Sequence, residues 1–164
     1  MLWTTLALIN LAIADVGPSA SSQYQLLDSP AAVAQEQAAA VKKTLDSMNM
    51  AVRMMAGARV ASAVTTCRAY TMEVTDTMLR VQCDARPVVT IRFDGSPVNF
   101  TTEKGEAYVV TGSRSGDRVS ATFTGPDASQ TTLYDFSNNS LAVERTINSA
   151  YFGEPLRWSS RYGR

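Results

Sequence analysis

The sequence contains no histidine. Histidine is the commonest side-chain acid or base near neutral pH and the commonest metal ligand. Its absence excludes Ser-His-Asp and Cys-His catalysis, His-ligated zinc and proximal-His haem. Chemistry built on carboxylates, lysine or tyrosine stays open. Charge is also sparse. Charged residues make up 18% of the 164, and 15 Lys and Arg balance 15 Asp and Glu. The balance holds locally, both before and after residue 65. No segment is basic enough for a nucleic-acid footprint, so no nucleic-acid partner is expected. The chain also lacks a Gly-rich phosphate loop, a Cys-x-x-Cys pair and a G-x-S-x-G elbow. No metal site and no cofactor is expected.

Long hydrophobic runs are missing as well. Leu2 to Ala14 is uncharged and apolar, but it is shorter than the roughly 20 residues that span a bilayer. It has the length of a signal-peptide core, and Ala12-Ile13-Ala14 supplies a small-x-small cleavage pattern. No Lys or Arg precedes it. Residues 1–14 therefore read as a signal peptide, with no stable membrane span after its removal. Residues 15–28 read as a flexible linker, and 29–164 as a single domain with a helix at about 29–57 and a sheet at about 67–163. The compartment implied is secreted or periplasmic.

Cysteine is limited to Cys67 and Cys83. An even count in an exported chain points to a disulfide. The segment between them reads as a hairpin turning near Thr75-Asp76-Thr77. Its register raises a conflict. Tyr70, Met72 and Val74 are the apolar positions of one strand, and Leu79, Val81 and Cys83 those of the next. Pairing those faces puts Cys67 on the wrong side. Either a bulge or a Cys67 lying just ahead of the strand resolves it.

Ser29-Pro30 is a helix start, Ser as N-cap and Pro as first helical residue. From there no Pro or Gly occurs until Gly57. Ala34, Ala38, Val41, Leu45, Met48, Val52 and Met55 recur in alternating steps of four and three, a heptad stripe. Two uses of the stripe are open: cover for the chain's own sheet, or the seam of a coiled-coil dimer. A monomer is favoured, because a half-apolar sheet needs covering and no charged pairs flank the stripe.

Beyond residue 67 the period changes to two. Val89-Ile91-Phe93, Val119-Ala121-Phe123, Thr132-Tyr134-Phe136 and Leu141-Val143-Arg145-Ile147 each share a face. Turn clusters separate the runs at near-regular spacing. The expected fold is α+β: one long N-terminal helix on a strongly curved or barrel-like antiparallel meander of about 8 strands.

Function is less legible. The leading expectation is a non-catalytic exported binding protein. It would hold an apolar small molecule between helix and sheet, or grip a protein through its loops. Candidate ligand contacts are Met48, Met55, Tyr134, Phe136 and Trp158, soft or aromatic side chains on the helix stripe or the inward strand positions. Arg157, Arg161 and Arg164 form a candidate anion- or partner-binding strip, since arginine suits carboxylate recognition. One alternative is an assembly subunit pairing through the helix stripe. Another is a hydrolase or isomerase using a carboxylate such as Asp135 or Glu144, set among aromatic or charged strand neighbours. Export carries its own test: N-terminal sequencing of mature protein from the native host should begin near Asp15. Recovery of residues 2–14 intact would refute the signal peptide.

Overall fold

The computed structural model describes residues 20–164; the leader expected at 1–14 lies outside them. The first strand, β1, is Ala20–Leu26, within the segment expected as a linker. Two helices follow, α1 (Pro30–Asp46) and α2 (Met50–Ala63). The rest of the chain is β2 (Ala69–Val74), β3 (Met78–Cys83), β4 (Val89–Arg92), β5 (Val98–Thr101), β6 (Ala107–Ser115), β7 (Arg118–Thr124), β8 (Ala128–Asp135), β9 (Ser140–Ser149) and β10 (Leu156–Gly163).

Among the described residues ten strands form one sheet in the order β4-β3-β2-β1-β10-β9-β8-β7-β6-β5, every pairing antiparallel. The meander expected from period two is therefore present, with ten strands where about 8 were expected. Its two ends curl together. Asp94, just beyond β4, bridges to Ser113 of β6. Gly112 makes that approach possible: a Cβ there would stand 2.2 Å from the Ile91 side chain. The sheet is thus a near-barrel with one seam, between β4 and β5.

Alternation sends one set of side chains inward. Tyr70, Met72, Leu79, Val81, Ile91, Val110, Val119, Ala121, Tyr134, Leu141, Val143 and Tyr162 fill the interior. Tyr70 packs edge-on against both Tyr134 and Tyr162, the arrangement that ring quadrupoles favour. A second apolar layer lies between the helices and β9–β10. Its buried members are Met48, Val60, Val64, Ile147, Leu156 and Trp158.

The single long helix is replaced by a helix pair, and local hydrogen bonding explains the break. The Ser47 hydroxyl donates back to the Thr44 carbonyl, and the Asn49 carboxamide oxygen accepts the Val52 N–H as a new N-cap. Ser and Asn both offer the backbone alternatives to a continuing helix. Tertiary contacts hold the break open. The Glu154 N–H donates to the Ser47 hydroxyl, and a Cβ on Gly153 would collide with the Ser47 carbonyl at 2.6 Å. Met48 sits in the break and is buried. Val41, Leu45 and Val52 are half-buried against the same layer, whereas Met55 is 83% exposed. The stripe is therefore divided between two helices, and no continuous heptad seam survives.

Helix α1 also replaces a strand. β1 pairs with β10 only at Gln25–Gly163 and Leu26–Tyr162. Beyond that point the β10 edge is served by side chains. Asp28 accepts from the Arg161 N–H at 3.1 Å, and Glu36 accepts from the Ser159 N–H at 2.9 Å. Backbone donors need partners wherever strands part, and these two carboxylates supply them.

Cys67 and Cys83 are joined, their Cα atoms 5.4 Å apart. The register conflict resolves as Cys67 preceding the strand. Cys83 pairs across from Tyr70, and Cys67 lies ahead of β2, which starts at Ala69. Asp84, in the left-handed region at φ 51, turns its carboxylate to accept both Arg68 and Ala69 N–H groups. That turn ties the residues at the start of β2 to the end of β3. Non-reduced protein should weigh two hydrogens less than reduced protein. Replacing both cysteines by serine should lower unfolding free energy by roughly 3 kcal/mol, the chain-entropy value for a loop of about 15 residues. Two alkylatable thiols in protein isolated without reductant would contradict the bond.

Candidate functional site

The helix end of the barrel holds one buried charge. β9 alternates Leu141, Val143, Arg145 and Ile147 inward, so Arg145 enters the interior in phase with three aliphatic residues. Its side chain is only 8% exposed on a residue basis. A buried cation is costly unless its donors are satisfied. Arg145 donates to the Thr65 carbonyl at 3.0 Å, to the Cys67 sulfur at 3.6 Å and to the Tyr70 hydroxyl. Its guanidinium also lies 5.7 Å from the centre of the Trp158 ring, a cation–π distance. All of these partners are neutral. Among the described residues no carboxylate forms an ion pair with it.

Residues 64–68 link α2 to β2 and pass as a strap over this guanidinium. The Tyr162 hydroxyl donates to the Cys67 carbonyl at 3.0 Å. Gln37 of α1 donates to the Thr66 hydroxyl at 2.7 Å, and Thr66 lies 3.5 Å from the buried Ser160 hydroxyl. The disulfide ties the strap to β3. Beside it, Trp158 is 4% exposed and its indole N–H has no hydrogen-bond partner. A buried donor without an acceptor is uncommon in folded proteins. An unpaired cation and an unused donor thus sit together beneath the helices. An open groove of about 520 Å³ runs between α1 and α2, lined by Val41, Leu45, Ala61 and Val64 and also by the charged Lys42, Asp46 and Arg53.

The expected ligand contacts fall in four places. Met48 and Trp158 meet in the helix–sheet layer. Tyr134 is buried in the barrel interior, and Phe136 is half-buried at the opposite end. Met55 points away from all of them, exposed on α2. The arginine strip is also divided. Arg161 is held by Asp28 at 3.2 Å, Arg157 is exposed, and Arg164 turns toward Tyr24 at the far end of the barrel. Neither candidate carboxylate is a buried acid. Arg118 hydrogen-bonds Asp135 and, with Ser137, holds its carboxyl below the usual range; Glu144 is exposed. Arg145 is absent from the residues that the sequence singles out as contacts; its signal is a charge in phase with Leu141, Val143 and Ile147.

Burial pushes the phenols of Tyr70, Tyr134 and Tyr162 upward, with Arg145 partly opposing the shift in each. A raised phenol pKa means that the folded state keeps protons the unfolded state has released. The associated stability is complete below the ordinary tyrosine value of about 10 and drains away as pH rises beyond it. Ultraviolet titration reads phenol ionisation as pH is raised through and beyond that value. The three interior tyrosines should ionise only in a cooperative step that coincides with loss of β-sheet circular dichroism. Full, reversible ionisation of Tyr70, Tyr134 and Tyr162 without unfolding would contradict the packed interior.

Comparison with family models and with curated proteins finds no match. Among solved structures, one described as "REP1-NXSQ fatty acid transporter" superposes with a TM-score of 0.51 at 14% identity, covering 87% of this chain and 93% of that one. A fatty acid-binding protein from Drosophila melanogaster brain superposes at 0.50 with 16% identity, covering 87% and 97%. At these identities the likeness is one of fold alone.

Proposed function

We propose that this protein is an exported, non-catalytic carrier of an amphipathic small molecule, a long apolar chain ending in one anionic group. The observation that carries the reading is Arg145, a buried guanidinium with no acidic partner, beside the unused Trp158 indole N–H. A carboxylate is the group that both donors lack, and arginine binds it bidentately. The apolar chain lies along the groove between α1 and α2 and in the layer beneath it, among Met48, Val60, Ile147 and Leu156. That layer is packed, so entry requires the helix pair to part from β10. The strap begins at Val64, a residue of the groove wall, which joins the entry path to the charge below it. The fold shared with fatty acid-binding structures supports the same ligand class. The disulfide supports an oxidising compartment. No helix among the described residues is long and apolar enough to cross a membrane.

Calorimetric titration with palmitate and with hexadecanol tests the reading. The acid should bind saturably, one per chain, and at least tenfold more tightly than the alcohol, because a charge-assisted pair is at stake. Arg145→Gln should bring the two affinities together. Failure to bind palmitate, or equal binding of acid and alcohol by the wild type, would overturn the carrier assignment.

A further inference from the structure

The barrel has a second end, away from the helices, where the β6–β7 turn, the β8–β9 turn and the first residues of β1 converge. A cavity of about 280 Å³ opens there. Its floor is buried and apolar: Met72 and Val119 are fully enclosed, and Tyr24 is 4% exposed. Val74 and the Phe136 ring form the sides, with the Tyr24 and Phe136 rings 6.3 Å apart and tilted. The rim is charged. It carries Arg114, Arg164 and one carboxylate, Asp117, with Asn139 between.

Both rim arginines are positioned without being neutralised. The Arg164 guanidinium lies 5.7 Å from the centre of the Tyr24 ring and donates to the Ser22 hydroxyl at 3.1 Å. The Arg114 guanidinium lies 5.5 Å from the centre of the Phe93 ring and donates to the Gly116 carbonyl at 3.0 Å. Cation–π contact and a neutral acceptor hold each head group in place and leave its charge unbalanced. Neither forms an ion pair among the described residues, whereas the nearby Arg118 is spent on Asp135 at 2.8 Å. Two fixed guanidiniums over an aromatic-walled pocket form a site for an anion with a flat apolar body. The cavity, about 280 Å³ against about 520 Å³ for the helix groove, suits a compact ligand.

We infer that this helix-distal mouth binds a small aromatic carboxylate, its ring set against Tyr24 and Phe136 and its carboxylate held by Arg114 and Arg164. Asp117 stands on the same rim and disfavours a dianion, so one negative charge is the preferred number. This site is separate from the Arg145 site and does not depend on the carrier reading.

The test is a ¹⁵N–¹H NMR titration of the protein with phenylacetate as probe and phenylacetamide and acetate as controls. Phenylacetate should shift amides of Ser22, Tyr24, Val119 and Asn139 saturably, and the affinity should fall as salt is raised. Phenylacetamide, which lacks the charge, and acetate, which lacks the ring, should each bind at least tenfold more weakly. Arg114→Gln and Arg164→Gln should each weaken phenylacetate severalfold with spectra otherwise like wild type, and Arg157→Gln should not. Prior saturation with palmitate should leave phenylacetate binding unchanged. The inference is overturned if phenylacetate does not saturate in the millimolar range or if its shifts map to the helix end. It is equally overturned if acetate or phenylacetamide matches it, or if both rim variants bind as wild type does.

Discussion

The arrangement of the helix end depends on how a single buried guanidinium is satisfied. Arg145 enters the barrel because its strand alternates inward there, and its donors must then find acceptors away from water. They find them on the Thr65 carbonyl, the Cys67 sulfur and the Tyr70 hydroxyl. Two of these belong to the strap between α2 and β2. The path of that strap is therefore set by the charge beneath it, and the strap in turn sets where α2 ends. The disulfide and the Tyr162–Cys67 hydrogen bond hold the same segment from two further sides.

The helix pair is coupled to the sheet by polar contacts as much as by apolar ones. Where β1 leaves β10, the exposed backbone donors of β10 are taken by Asp28 and Glu36. A strand edge left open is an aggregation risk, and two carboxylates close it without adding a strand. Below them Met48, Leu156, Ile147 and Trp158 form the apolar part of the contact. The exposed outer side of α2, with Met50, Met54 and Met55, makes none of these contacts. The lid over the charged site thus has a firmly anchored half, α1, and a half held chiefly through α1 and the strap.

The two ends of the barrel treat arginine differently. At the helix end the cation is buried, hydrogen-bonded to neutral groups and covered. At the other end two cations stand at the rim of an apolar floor, each braced by a ring. Electrostatic attraction is strong in the first setting because the surroundings exclude water, and more easily screened by salt in the second.

Much of the architecture was legible in local pattern. Period-two alternation determined which strand residues face inward, because a strand's side chains must alternate whatever the topology. Ser29-Pro30 determined where α1 starts, and the paired cysteines determined the crosslink. What the chain could not reveal locally was settled by contacts between distant residues. Ser47 and Asn49 only make a break available locally; the loop at Gly153 and Glu154, packed on Ser47 from 107 positions away, holds it open. The heptad stripe, continuous on paper, ignores that loop. Residues 20–26 look like a polar linker, since a strand bordered by two other strands needs only a few apolar side chains of its own, and Tyr24 and Leu26 suffice. Arg145 stood in plain view within an apolar alternation. Its role was decided only when folding enclosed it without a carboxylate, because burial and the lack of a counter-charge are properties of the assembled interior.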